Sequence, residues 1–276
     1  MMEAPWAMDL PAPIIAKKFA GAWFNGSSTY RFLFQQRLLT NGIFMFDNYI
    51  GLCTRHPLQC LPVFITILPI IILLKRKAYI SKPYLILLIF LIFKLAIDLI
   101  MFHLAAHRTN NLLFYNISIP VSYTLLAGMF IYKLDSPIFK KLVALSIVLF
   151  ALFSIWDMMR VNPDMNDSHN HSMVPYASTI QCILMILWIL LYFYEIMVSM
   201  KIPNLFNSTF FWICCGFLLY YSSFVFIAPV LHYTEKWTNP LSIGFAANIS
   251  YIFEIFYLLA ISVGLFNFEK QHYAKY

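Results

Sequence analysis

The residues best equipped for chemistry in this sequence lie where chemistry is least expected, inside apolar runs. Lys94 and Asp98 are four residues apart within the run 84–106, which reads YLILLIFLIFKLAIDLIMFHLAA. On a helix, that spacing puts the ammonium and the carboxylate on one face and within reach of each other. A charge at the centre of a bilayer costs roughly 2.5–3.5 kcal/mol on insertion scales, so it normally faces a partner or a wet cavity. Glu254 sits near the middle of another apolar run, with Asn248 nearly two turns further out, toward the start of that run. Lys94 and Glu254 can therefore meet across a helix bundle. Such a set can hold a ligand, pass an ion or relay a proton. The plainer alternative is a polar clamp that fixes helix packing.

A second set is built on imidazoles. His103 and His107 are four apart, the spacing by which two histidines of one helix hold a single metal ion. Zinc, copper or a pH-responsive pair all suit that arrangement. His56, His169, His171 and His232 fall on the same side of the membrane in the topology below, with Asp157, Asp164, Asp167 and Glu235; His272 is opposite. At about 100° per residue, His103 lies about 180° around its helix from Lys94, so the two sets do not form one site. The plainer reading is a scatter of interfacial polar residues. It is favoured because His169 and His171 sit on a polar loop read as mobile.

The elements that must position these side chains are spanning helices. The chain has 276 residues, 61% hydrophobic and 11% charged, with a mean hydropathy of +0.74. Soluble domains are about a quarter charged. The apolar excess comes in blocks of about 20 residues without strand-like alternation, which points to a helical bundle and away from a β-barrel. The blocks are read as helices over 57–74, 84–106, 111–132, 142–159, 175–200, 208–231 and 241–266. Proline inside these spans (Pro62, Pro69, Pro120) is tolerated when neighbouring groups satisfy the freed carbonyls.

Orientation follows from lysine and arginine alone. The loops after helices one, three and five, with the C-terminal tail, hold ten: Lys75, Arg76, Lys77, Lys82, Lys133, Lys140, Lys141, Lys201, Lys270 and Lys275. The other loops hold three: Arg108, Arg160 and Lys236. This places the N-terminus outside and the C-terminus in the cytoplasm. The same clustering at helix ends accounts for the net charge of +7 and excludes nucleic acid as the partner it would otherwise suggest. Residues 1–56 are mixed in polarity, carry five basic residues and oppose this orientation. They are expected to be largely non-native structure, with translation starting at Met45.

Cys53 and Cys60 suit either an external disulfide or two separate thiols, while Cys214 and Cys215 read as packing residues. Trp156, Trp237, Tyr192, Phe193, Tyr194, Tyr220 and Tyr221 are read mainly as interfacial belt anchors. The seventh helix has no lysine for a retinal Schiff base, and there is no glycine-rich phosphate loop, GxSxG elbow or internal repeat.

The segments NNLLFYNISIPVSYTLLAGMFI (110–131), LLYFYEIM (190–197), FFWICCGFLLYYSSFVFI (210–227) and NISYIFEIFYLLAISVGL (248–265) resemble a family of uncharacterised seven-helix membrane proteins of Bacteroidota. The likeness covers about residues 57–268. Members often carry a His or Tyr and a Glu in the third helix; the corresponding places here are Asn116, Ser118 and Ser122, a departure from that pattern. The resemblance implies a membrane-sensor-like module working beside a histidine kinase. A second likeness is to transmembrane zinc hydrolases related to alkaline ceramidases, through seven helices and an HxxxH. In that family the paired histidines lie in the seventh helix near the cytoplasmic face. Here HLAAH ends the second helix at the outer face, so the likeness fails at the residues that matter.

The resulting expectation is an all-α polytopic membrane protein: a tail over 1–56, a seven-helix domain over 57–268 and a cytoplasmic tail over 269–276. It is read as a sensor or receptor-like module of the bacterial inner membrane. A small or lipidic ligand would bind in the bundle through Lys94, Asp98, Asn116, Asn248 and Glu254. The expected partners are the lipid bilayer and a histidine kinase or other membrane signalling protein. Short loops leave no room for a soluble catalytic domain, which argues against an enzyme. Two alternatives stand beside this: a metal-dependent hydrolase using His103 and His107, and an ion or solute transporter using Lys94, Asp98 and Glu254. No cofactor is specified.

Overall fold

The computed structural model describes residues 48–107, 109–163, 171–199, 205–234 and 240–268, with side chains described throughout these except 228–234 and 240–247. The expectations about residues 1–47, the start at Met45, the tail 269–276, and Trp237, His169, His232, His272, Asp164, Asp167 and Glu235 lie outside that description. Among the described residues there is no strand. The spanning helices are α1 (Pro57–Lys75), α2 (Lys82–Ala106), α3 (Leu112–Lys133), α4 (Pro137–Val161), α5 (Pro175–Ser199), α6 (Thr209–Thr234) and α7 (Pro240–Phe266). Among the described residues seven helices are long and apolar enough to cross a bilayer, and the chain is a multi-pass helical membrane protein.

Proline marks most of the starts. It is the first residue of α1, α4, α5 and α7 and the second of α2, positions where its missing N–H and fixed φ cost nothing. This corrects one boundary. The segment 133–141 was expected to be a loop, but α4 begins at Pro137 and takes Lys140 and Lys141 into its first turns. Glu195 of α5 fixes that start by accepting the backbone N–H groups of Asp135 at 2.7 Å and Ser136 at 2.9 Å.

Six helices form a closed ring. α1 packs on α2, α2 on α3, α3 on α5, α5 on α6, α6 on α7, and α7 back on α1. α4 stands outside the ring against α3 and α5 and is the least buried of the seven. Polar contacts fasten it there. Tyr123 of α3 shares a 2.7 Å hydrogen bond with Ser146 of α4 and accepts one from Trp188 Nε1 of α5 at 3.0 Å. Asp157 near the end of α4 accepts the backbone N–H of Ala177 at 2.8 Å, capping the start of α5. Outward-facing Phe64, Leu149, Leu152 and Phe226 are exposed, as a lipid-facing surface requires.

The ring is packed unevenly. In α2 the buried residues are Pro83, Tyr84, Leu87, Leu88, Phe90 and Leu91, and none between 92 and 106 is buried. The tight end is the one where α1 leads into α2. There Tyr84 meets Phe268 edge-on at 5.1 Å, Phe130 and Tyr192 pack on Phe210, and Lys133 lies 5.0 Å above the Tyr84 ring. α6 and α7 approach closely through glycine. A Cβ on Gly216 would lie 2.9 Å from Ala260 Cβ, and one on Gly264 would lie 2.8 Å from the Thr209 carbonyl oxygen. Small residues at such crossings let two backbones come together in a bilayer.

Residues 48–56 of the expected tail carry structure. Residues 48–55 are helical. Cys53 is disulfide-bonded to Cys60 of α1, and Tyr49 stacks on Phe102 of α2 at 5.5 Å.

Candidate ligand site in the bundle

The half of the ring that packing leaves open holds a cavity of about 360 Å³. Among the described residues its walls come from α1, α2, α3, α5, α6 and α7, with Leu52 and Met173 at the end nearest the α2–α3 turn; α4 contributes nothing. The charged residues of the lining are Lys94, Asp98 and Glu254. Lys94 Nζ donates to Asp98 Oδ2 at 2.6 Å and to Glu254 Oε1. The i, i+4 spacing on α2 makes the first contact, and the α1–α7 closure of the ring brings up the second. The side chain of Lys94 is 12% exposed and those of Asp98 and Glu254 are 16% exposed, so the group is inside the protein yet reachable from the cavity.

Around this triad stand Tyr115 of α3, Tyr220 and Tyr221 of α6, and Tyr251 and Tyr257 of α7. Phe90, Phe217 and Tyr257 form an aromatic floor on the tightly packed side. Phe217 stacks on Tyr257 at 5.5 Å and meets Phe90 edge-on at 6.1 Å. Ser118 and Ser122 of α3, Gln59 of α1 and Gln181 of α5 supply neutral polar groups. The arrangement is concave and mostly apolar, with a few convergent polar groups, which is the make-up of a small-molecule site.

The other expected site residues fall elsewhere. Asn116 is buried and does not line the cavity. Its Nδ2 donates to the Ser172 carbonyl at 2.9 Å, and its Oδ1 accepts the Val174 N–H at 3.2 Å. Asn162 grips the same segment through both the N–H and the carbonyl of Ser172. Asn116 is thus a clamp on the segment leading into α5. Asn248 is exposed and is not part of the lining. His171, expected on a mobile loop, is buried, and its carbonyl oxygen accepts Asn110 Nδ2 at 2.8 Å.

His103 and His107 lie with their ring centroids 4.5 Å apart, on the outside of α2 and off the cavity. His103 Nδ1 is hydrogen-bonded to the Tyr49 hydroxyl, and His107 Nδ1 donates to the His103 carbonyl at 2.8 Å. Among the described residues no third His, Cys, Asp or Glu joins them in a metal-holding group. Their contacts pin residues 48–55 to α2.

Tyr220 and Tyr221, expected in the interfacial belt, instead wall the cavity, and Tyr192 is a core residue between Phe130 and Phe210. Tyr115, Tyr251 and Tyr257 had no place in the expected site. Depth along the helix was the signal available, because Tyr220 and Tyr221 fall near the midpoint of α6 rather than at its end.

No family model matches this chain, and neither does any curated protein or solved structure.

Proposed function

We propose that this protein is a sensor or receptor-like module of the bacterial inner membrane. It binds a small or lipidic ligand in the central cavity and passes a conformational change to a membrane signalling partner, a histidine kinase being one such partner. The observation that carries this reading is the cavity itself, walled by six helices around a reachable charged triad. A ligand seated there touches most of the ring, and displacements of about 1–2 Å at packed helix interfaces are enough to transmit a signal. The excess of lysine and arginine on one set of loops supports an outer N-terminus and a cytoplasmic C-terminus. The cavity then lies in the outer half of the bundle. The resemblance to seven-helix membrane proteins of Bacteroidota supports the bacterial setting.

Transport through the same triad has less support, because the aromatic floor of Phe90, Phe217 and Tyr257 lies between the cavity and the other end of the bundle. A hydrolase centred on His103 and His107 has less still, since neither residue faces the cavity.

The test is native mass spectrometry of the full chain taken from its host membrane without exchange of bound molecules. A bound species on the wild type that is absent from a cavity-filling Ser122→Trp variant of equal thermal stability is the expected result. A wild type and a variant that carry the same masses would overturn the cavity as the binding place.

A further inference from the structure

Resting on the reading of the cavity as a ligand site, we propose that its occupant is an organic monocation: an ammonium group on a small apolar or aromatic body. The charges of the lining do not balance. Two carboxylates, Asp98 and Glu254, face one ammonium, Lys94, and no other charged side chain lines the cavity among the described residues. A surplus negative charge away from bulk water is costly until a positive group meets it. Lys94 contacts Asp98 through Oδ2 and Glu254 through Oε1, leaving Oδ1 and Oε2 outside the pair. An anionic ligand would have to compete with two fixed carboxylates for a single lysine. A cation finds carboxylate oxygens already in place.

The aromatic part of the lining has the same preference. Tyr220 lies 4.8 Å from Tyr257, 5.2 Å from Tyr221 and 5.6 Å from Phe224 between ring centroids, a continuous aromatic surface on the cavity. Aromatic faces attract cations within about 6 Å of the ring centre, most strongly when water is excluded. A neutral lipid tail would use the rings but gain nothing from the triad. A cavity of about 360 Å³ is at the small end for such sites, which favours a compact ligand or a lipid headgroup over a whole lipid.

The experiment uses the purified full chain in lipid nanodiscs and four probes. Benzyltrimethylammonium is the soluble cation, neopentylbenzene its neutral isostere, phenylacetate the anion and dodecyltrimethylammonium a cation with a lipid-like tail. Saturable thermal stabilisation by benzyltrimethylammonium, with none from the isostere or the anion, is the expected result. Dodecyltrimethylammonium binding much more tightly would identify a lipid headgroup as the source of the cation; equal binding would identify a free amine. Glu254→Gln should weaken the cation about tenfold, Tyr220→Leu should do likewise, and Tyr220→Phe should restore it. The tyrosine pair reports on the cation even if Glu254→Gln fails to fold. Phenylacetate binding that needs Lys94 would overturn the cationic class while leaving a ligand site in the cavity. Cation binding unaffected by both Glu254→Gln and Tyr220→Leu would overturn it by placing the probe elsewhere. Failure of all four probes would overturn it too, and the co-purification test with Ser122→Trp then decides separately whether the cavity binds anything.

Discussion

The two halves of this bundle are built on opposite principles. At the end where α1 leads into α2, aromatic and aliphatic side chains interlock, and Gly264 lets α7 approach the start of α6 so closely that no added Cβ would fit. At the other end the helices enclose space, and α2 has no buried residue beyond Leu91. In a bilayer the lipid is as apolar as the core, so helix association rests on close packing and polar contacts rather than on expelling water. The tight half therefore holds the fold, and the open half is left free to accommodate a guest. The triad is the exception within the open half: it joins α2 to α7 across the cavity.

Because of that exception, the largest single-site effect is expected at Lys94. Lys94→Met leaves Asp98 and Glu254 facing each other without their shared donor. Removing one partner of a buried ionic group typically costs about 3–5 kcal/mol. Thermal unfolding in nanodiscs should show a large drop, and adding Asp98→Asn with Glu254→Gln should recover most of it. A Lys94→Met protein as stable as the wild type would mean that water in the cavity screens the carboxylates. The open half would then contribute nothing to holding the helices together.

Next in size is a pair of glycine substitutions that should give opposite signs. A Cβ at Gly264 meets the Thr209 carbonyl at 2.8 Å and Trp212 Cβ at 2.9 Å, neither of which is the free end of a side chain. Gly264→Leu should cost about 1–3 kcal/mol or more by overpacking. Gly128 in α3 has nothing within 4 Å of the same position. Gly128→Ala should be neutral or stabilise by about 0.5–1 kcal/mol through helix propensity. Equal effects at the two positions would remove the case that the α6–α7 contact is unusually close.

How much of this was legible in the sequence depends on which physical signal each feature leaves. Spans are legible because a bilayer demands about 20 apolar residues whatever else the segment does. The Lys94–Asp98 contact follows from helical spacing, and its reach to Glu254 from equal depth in two helices. The start of α4 was obscured by Lys140 and Lys141, whose charges resemble loop residues, although Pro137 and the Glu195 cap begin the helix. The tyrosine wall was hidden for a different reason. A tyrosine that anchors at an interface and one that lines a cavity have the same amphipathic chemistry, and in the sequence only depth separates Tyr220, near the midpoint of α6, from Tyr194, which is exposed near the end of α5. Asn116 shows the converse. A polar residue within an apolar span suggested a ligand contact, yet its partners are backbone groups of residues 172 and 174, which no spacing rule connects to α3.

The smallest global effect, and the one that most sharpens the contrast, is expected from the covalent tie over the open half. Cys53 and Cys60 join residues 48–55 to α1, and Leu52 of that stretch lines the cavity. Among the described residues, none of 48–55 is fully buried, and Tyr49 meets Phe102, His103 and His107. Segments with sparse buried contacts open locally at a free energy far below that of global unfolding. Cys53→Ser with Cys60→Ser should therefore leave the melting temperature almost unchanged while amide exchange across 48–55 speeds up strongly. A bound probe should also dissociate faster if this stretch covers the way in. A global loss of stability comparable to Gly264→Leu would contradict the division of labour, because it would make the open end a second load on the fold rather than a cover for a cavity.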